Sequence, residues 1–413
     1  MIRRRWIVVL TVVAVAGFAL NGFAASQKVL YSFTARRGDG EAPLAGVIFD
    51  SAGNLYGTTE VGGSYGDGIV FELGLSPDGQ WAETVLHDFN WTDGAHPQAN
   101  LVFDNAGNLY GTTVYGGAYG KGTVFELSPA DGGGWTEEVL HSFPDGQGDG
   151  YHPYAPLIFD SAGNLYGTAA YGGAWRRAGV VFELTPGAGG NWTETILCNF
   201  PQTLEGRPNG WSPYSGLVFD AAGDLYGTTT RGGHRGEGSV FELTPSQDGS
   251  WTEMLLASLT DEHGEYPYGS LILDAAGNLY GTASEGGAFN AGTVFKVSTA
   301  SGGGWMLRDV YSFSFPNEAA PVGGLVMDRA GNIYGTTEGG GSDDAGTIFE
   351  MTPNKDGGWS EGYFSVIGAI YSKTANSVAN PVSDLVFDAH GNAYGTSSGG
   401  GAYGAGTVFE IIR

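Results

Sequence analysis

The sequence predicts an all-β fold: a seven-bladed β-propeller with four antiparallel strands per blade, closed by its N-terminal strand. Three observations lead there. One register of residues recurs seven times, the repeat is 54 to 60 residues long, and a very high glycine content coexists with 13% aromatic residues. Aligned on an acidic residue, the register recurs at Asp50, Asp104, Asp160, Asp220, Asp274, Asp328 and Asp388. A proline precedes each by seven residues, from Pro43 to Pro381. A tyrosine follows each by six, from Tyr56 to Tyr394, and is trailed by Gly and Thr. A Gly-Gly pair stands twelve and thirteen residues after each Asp. A β-helix repeats at a shorter period, whereas this one fits the four short strands of a blade. Disordered glycine-rich chains lack the aromatics, so the composition reads as ordered, turn-rich β structure.

Each strand of a unit can be justified in turn. "LVFD" (101–104) is a short apolar run, and "NLYGTT" follows at once. Between them D-x-A-G-N is turn chemistry: the carboxylate bonds the backbone ahead of it, Gly takes positive φ, and Asn tolerates it. A tight bulged hairpin is expected. The Gly-Gly loop leads to a third strand, "GTVFEL" (122–127), and a turn such as "SPADGGG" leads to the fourth, "WTEEVLHSF" (135–143). The proline suits the first residue of a strand, where no ladder donor is needed. The tyrosines are read as interblade packing, and the tryptophans opening the fourth strands (Trp81, Trp135, Trp192, Trp251, Trp305, Trp359) as covers for the outer edge. "KVLYSF" (28–33) repeats the fourth-strand pattern and "GTVFEIIR" (406–413) the third. The N-terminal strand is therefore expected to complete the last blade, leaving no open edge. The units run over about 43–89, 97–143, 153–200, 213–259, 267–315, 321–371 and 381–413.

These units resemble the choice-of-anchor tandem repeat proteins that carry GloVer repeats, which are secreted or surface proteins of bacteria. The resemblance covers the whole chain after its first residues. It implies an extracellular location and a repeat architecture, and carries no established activity.

Residues 1–24 read as a secretory signal peptide: a basic "MIRRR", fifteen apolar residues and a small-residue cleavage site before Ala25. The apolar run is short for a membrane span, with retention as an uncleaved N-terminal anchor the alternative. The remainder, 25–413, is a single domain, expected to be monomeric and secreted, at the cell surface or in the periplasm. It sets 15 basic residues against 44 acidic ones, which disfavours nucleic acid and anionic lipid as partners. Its one cysteine, Cys198, can form no internal disulfide and is read as a buried apolar residue.

Constant positions build blades, so ligand binding is sought where the copies differ. Loops between strands two and three and loops between blades share one face, the usual place for binding residues. Fifteen residues after the Asp stand Tyr65, Tyr119, Trp175, Arg235, Phe289, Asp343 and Tyr403. The interblade loops add His96, Tyr151, His152, Trp211 and Tyr266. Nine cations fall in the same two loop classes: Arg36, Arg37, Lys121, Arg176, Arg177, Arg207, Arg231, Arg235 and Lys373. Rings that stack on sugar faces, with arginines that pair with uronate carboxylates, suit a polysaccharide; a surface protein is the other expected partner. The bland alternative is that the rings fold back to pin their own glycine-rich loops. An enzyme would need convergent carboxylates, for which Asp93, Asp149, Glu41 and Glu265 are candidates, or histidines such as His96, His152, His234 and His263 gathered on a metal. No cofactor, metal or catalytic residue is assigned. The expected function is non-catalytic ligand binding on the loop face, with a polysaccharide hydrolase or lyase, or a structural surface protein, as alternatives.

Overall fold

The computed structural model describes residues 26–412 except 145, 147, 176–177, 202–209, 342–343, 355–357 and 366–377. The expected signal peptide and Arg176, Arg177, Arg207, Asp343 and Lys373 lie outside the described residues. Seven four-stranded antiparallel sheets form a seven-bladed β-propeller. In the third blade the strands are Ile158–Phe159, Leu165–Ala169, Val180–Pro186 and Trp192–Asn199, hydrogen-bonded in chain order. A β-bulge at Val181/Phe182 recurs at the matching place of other blades. The last blade takes its outer strand, Ser26–Ser32, from the N-terminal end, paired antiparallel with Thr407–Ile412. Ring closure is as the sequence predicts. The innermost strand is shorter than predicted: "LVFD" contributes only Val102–Phe103 to the ladder, and the residues just before it run along the central channel.

Four residues of the constant phrase each have a structural role. The Asp carboxylate saturates the first hairpin. Asp160 accepts from the Ala162 and Asn164 amides at 2.8 and 2.9 Å, the Asn164 side chain at 2.8 Å and the Tyr166 hydroxyl at 3.2 Å. Tyr166 is buried against the next blade, edge-on to Phe219 with centroids 5.1 Å apart. Gly167 leaves room for Phe182: a Cβ there would lie 2.5 Å from the Phe182 Cζ. The Thr168 hydroxyl donates to the Ser215 carbonyl of the next blade at 3.0 Å, and Thr112, Thr282 and Thr396 make the equivalent bond. Tyr, Gly and Thr thus pack, clear and tie the interface between blades.

The hydrophobic core accordingly divides into clusters that straddle neighbouring blades. One joins Tyr110, Val124 and Phe143 of the second blade to Leu157, Leu165, Phe182 and Leu184 of the third. The tryptophans belong to these clusters rather than only capping the outer edge: Trp192 meets Tyr110 of the preceding blade at 6.2 Å. Their aromatic area is removed from water at an interface, where it contributes most. Cys198 is buried, and burial pushes its thiol well up, so it is no nucleophile.

Candidate functional site at the axial mouth

Both variable loop classes do lie on one face. In the third blade Gly150–Tyr151 of the interblade loop pairs with Tyr171–Gly172 of the Gly-Gly loop, and each blade has a ribbon or single bridge of this kind. These ribbons ring the upper end of the channel. The residue before each proline is left-handed, including His96 and His152 (φ 56) and Tyr266 (φ 57). Its amide donates to the loop of the preceding blade, as in His96 N to the Asp67 carbonyl at 2.8 Å. Its carbonyl accepts from its own blade, as from Val114 N at 3.2 Å. Ala42 and Ala320 adopt the same conformation, so this strain belongs to the architecture and not to a reaction.

The clamp delivers the residue after each proline to the channel: Leu44, Gln98, Tyr154, Tyr214, Tyr268, Val322 and Val382. Three consecutive tyrosines make a wall. Tyr154 and Tyr214 stack at 4.6 Å, and Tyr268 meets Tyr214 edge-on at 5.7 Å. Above them the ribbons supply Tyr115 and Tyr171, with the Tyr171 and Tyr214 hydroxyls 2.5 Å apart. His152 stands edge-on to Tyr115 at 4.7 Å and to Tyr171 at 5.7 Å, and His96 to Tyr115 at 5.5 Å. Arg231 lies 4.4 Å over Tyr266, completing a band across blades two to five. The other side of the mouth, on blades six, seven and one, offers the aliphatic side chains of Leu44, Val322 and Val382.

Burial keeps the three consecutive tyrosines and His152 neutral. Desolvation raises Tyr154, Tyr214 and Tyr268, so they stay protonated as hydroxyl donors and acceptors. Burial, with Lys121 nearby, lowers His152 to about 4, leaving a neutral imidazole at pH 7. Deeper down, Asp384 accepts from the Gly324 amide at 2.5 Å and the Asn100 side chain at 2.8 Å, and the Asn100 oxygen accepts from the Gly46 amide at 2.6 Å. This belt ties blades six, seven, one and two. Desolvation raises Asp384, the only carboxylate among the described residues lining the channel. The space is about 100 Å³, well below an ordinary ligand pocket of about 300 Å³ or more, so a ligand has to lie across the mouth.

The sequence-predicted residues separate into groups. Tyr65, Tyr119, Trp175, Phe289 and Tyr403 stand out on the loop tips, 56 to 66% exposed, and are not folded back. Arg235 beside them bonds Asp261 at 3.1 Å. His96, His152 and Tyr266 reach the mouth, whereas Tyr151 and Trp211, which hold equivalent places, pack against the clusters between blades two and three and between blades three and four. The described cations are dispersed around the rim: Arg36 over Tyr403, Lys121 over Tyr151, Arg231 over Tyr266. The candidate carboxylates do not converge, since Asp93 sits beside His87 and Asp149 beside His141 between blades, with Glu265 near Glu237 and Asp261. Nor do the four histidines gather on a metal, because His234 bonds Ser258 and His263 bonds Thr260. Sequence reasoning missed Tyr115, Tyr154, Tyr171, Tyr214 and Tyr268. Two columns held the signal, the residue after the proline and the residue eleven after the Asp.

A ring of seven blades with a loop-built mouth defines the class as a seven-bladed β-propeller. The chain belongs to the Gloeobacter/Verrucomicrobia repeat family, which it matches over residues 16–210, 139–325 and 179–409. Among solved structures it is similar to an ulvan lyase of polysaccharide lyase family PL25 bound to -[GlcA(1-4)Rha3S]-. That match has a TM-score of 0.57 at 13% identity, over 94% of this chain and 96% of the other. It is also similar to an ancestral GH74 enzyme, with a TM-score of 0.57 at 12% identity, over 90% of this chain and 48% of the other. At such identities the likeness is one of fold. No curated protein matches the chain.

Proposed function

We propose that the protein is a secreted, non-catalytic receptor for a glycan chain, which it binds across the axial mouth over blades two to five. The observation that carries this reading is the one-sided wall of Tyr115, Tyr154, Tyr171, Tyr214 and Tyr268 with His96 and His152. The rings offer faces for sugar stacking and the tyrosines hydroxyls for hydrogen bonds, and Arg231 can pair with a uronate carboxylate. The exposed rings at Tyr65, Tyr119, Trp175, Phe289 and Tyr403 extend the same chemistry over the loop tips. Glycoside hydrolysis asks for two facing carboxylates about 5 to 9.5 Å apart; among the described residues the channel lining brings Asp384, bonded on both oxygens, and Glu60 beside His96 is held by Gln98.

Eliminative cleavage of a uronate is the second reading. It is favoured by the Tyr171–Tyr214 hydroxyl pair beside neutral His152, and by the fold's likeness to an ulvan lyase. A tyrosine base needs its pKa lowered by a nearby cation, and here burial raises it, so binding is preferred. The test is a glycan array and pull-down with neutral and uronate-containing polysaccharides. A Tyr154→Ala/Tyr214→Ala variant removes the wall, and a Tyr119→Ala/Trp175→Ala variant removes two loop-tip rings. The wall variant is expected to lose binding at least tenfold. Absence of binding by the wild type, or equal binding by the wall variant, refutes the proposal. New unsaturated ends on a bound polyuronate would establish the second reading instead.

A further inference from the structure

A second polar cluster lies away from the mouth, where the outer strand of blade two, the loop leaving it and the outer strand of blade three meet. His141 Nε2 is 3.8 Å from Asp149 Oδ2 and 3.8 Å from Glu194 Oε2. The three side chains are largely buried, with 13 to 19% of their surface exposed. His141 Nε2, Asp149 Oδ1 and Glu194 Oε1 are shut off from solvent and make no hydrogen bond. One ligating atom from each residue lies within 4.8 Å of the other two. Buried polar atoms are normally paired, and here His141 Nε2 and one oxygen of each carboxylate are left without a partner, which a shared ion would supply.

We propose that His141, Asp149 and Glu194 bind a divalent transition-metal ion, of which Zn²⁺ is the best fit, and that the ion staples blade two to blade three. One imidazole nitrogen and two carboxylate oxygens are ligands that zinc takes, with a water free to complete a tetrahedron. Calcium wants six to eight oxygens and magnesium a near-ideal octahedron, so both are poorer occupants. A tetrahedral ion about 2.0–2.1 Å from its ligands holds them about 3.4 Å apart, so His141 closes on each carboxylate by a few tenths of an ångström from 3.8 Å. Two carboxylates cancel the charge of a dication, which removes the cost of burying like charges side by side. His141 Nε2 makes no hydrogen bond, so its lone pair is available to a metal.

The repeat contains its own control. At the seam between blades seven and one, Tyr31, Asp39 and Glu83 occupy the same three places. There the Tyr31 hydroxyl donates to Glu83 at 3.1 Å and approaches Asp39 at 3.4 Å, so the carboxylates share a proton donor and no ion is called for. Between blades one and two, His87, Asp93 and Glu137 repeat the histidine version. There Asp93 is already held by the Asn90 amide and side chain at 3.0 and 2.6 Å. The proposal is therefore confined to His141.

The test uses tag-free protein stripped with a chelator and titrated with ZnCl₂ by calorimetry, in a His87→Tyr background that silences the neighbouring trio. One equivalent is expected to bind, and adding His141→Tyr should weaken it at least tenfold. Tyr31 shows that a tyrosine fits this position, and an unchanged far-ultraviolet circular dichroism spectrum checks that the variant folds. Glu194→Gln should weaken binding to a similar degree. No Zn²⁺ uptake overturns the proposal, as does uptake that survives His141→Tyr undiminished, which would mark adventitious binding to surface histidines.

Discussion

Replacing Glu83 by glutamine should make the closing seam of the ring insensitive to pH. Glu83 stands on the outer strand of blade one, against the N-terminal strand that completes blade seven, where it accepts from Tyr31 at 3.1 Å. Desolvation is the main influence, followed by the Asp39 charge, and together they raise its carboxyl from 4.5 to about 7. The folded protein holds this proton more tightly than the unfolded chain does. The stabilisation is therefore complete below about pH 4.5 and is lost as the pH rises through 7. The full displacement corresponds to about 3 kcal/mol, and partial solvent access reduces that to about 1–2 kcal/mol. An amide cannot ionise, and it retains an oxygen for Tyr31. Glu83→Gln is thus expected to match the wild type near pH 5 and to exceed it by about 1–2 kcal/mol near pH 8. For a chain of 413 residues that is about 1–2 °C in melting temperature. The assay is scanning calorimetry of both proteins across that range. Equal pH slopes, or a variant less stable than the wild type at pH 8, would refute the reasoning.

Gly167→Ala should cost about 2–3 kcal/mol, because the new methyl would meet Phe182 at 2.5 Å and Leu157 at 2.9 Å; adding Phe182→Leu should recover at least half of it in a double-mutant denaturation cycle. Thr168→Val removes the donor to the Ser215 carbonyl and should cost about 1–2 kcal/mol by the same measurement. Asp160→Ala takes four hydrogen bonds from one hairpin and should cost about 3 kcal/mol, with faster limited proteolysis within 158–166 as the readout.

The ring was legible because its determinants repeat. Asp160, Tyr166, Gly167 and Thr168 each satisfy a local or next-blade requirement that recurs in the other blades, so spacing alone revealed strand number, hairpin and closure. The tryptophans were placed on the right strand, but their role was half seen, since contact with a tyrosine of the preceding blade leaves no mark in spacing. The loop-tip rings were found by asking where copies differ. The wall at the mouth was not, because Tyr154, Tyr214 and Tyr268 follow an invariant proline and look like part of the constant frame. The trio at His141 was hidden for another reason: Asp149 was read as a candidate carboxylate of the loop face, and only the fold turns it between blades toward Glu194.

Sevenfold repetition also constrains what the mouth can hold. A ligand lying on the axis would meet seven equivalent positions, and a ring of like residues would serve it. The residues after the prolines instead pass from Leu44 and Gln98 through three tyrosines to Val322 and Val382, so the chemistry is concentrated off the axis. The channel beneath offers only about 100 Å³, which bars an extended chain from threading through. A glycan is then best accommodated as a strand laid across blades two to five, in contact with successive rings rather than with a single deep subsite. Affinity on such a surface should grow with the number of sugar units until the wall is spanned. Equal affinity for a monosaccharide and a long oligosaccharide in the same titration would rule the arrangement out.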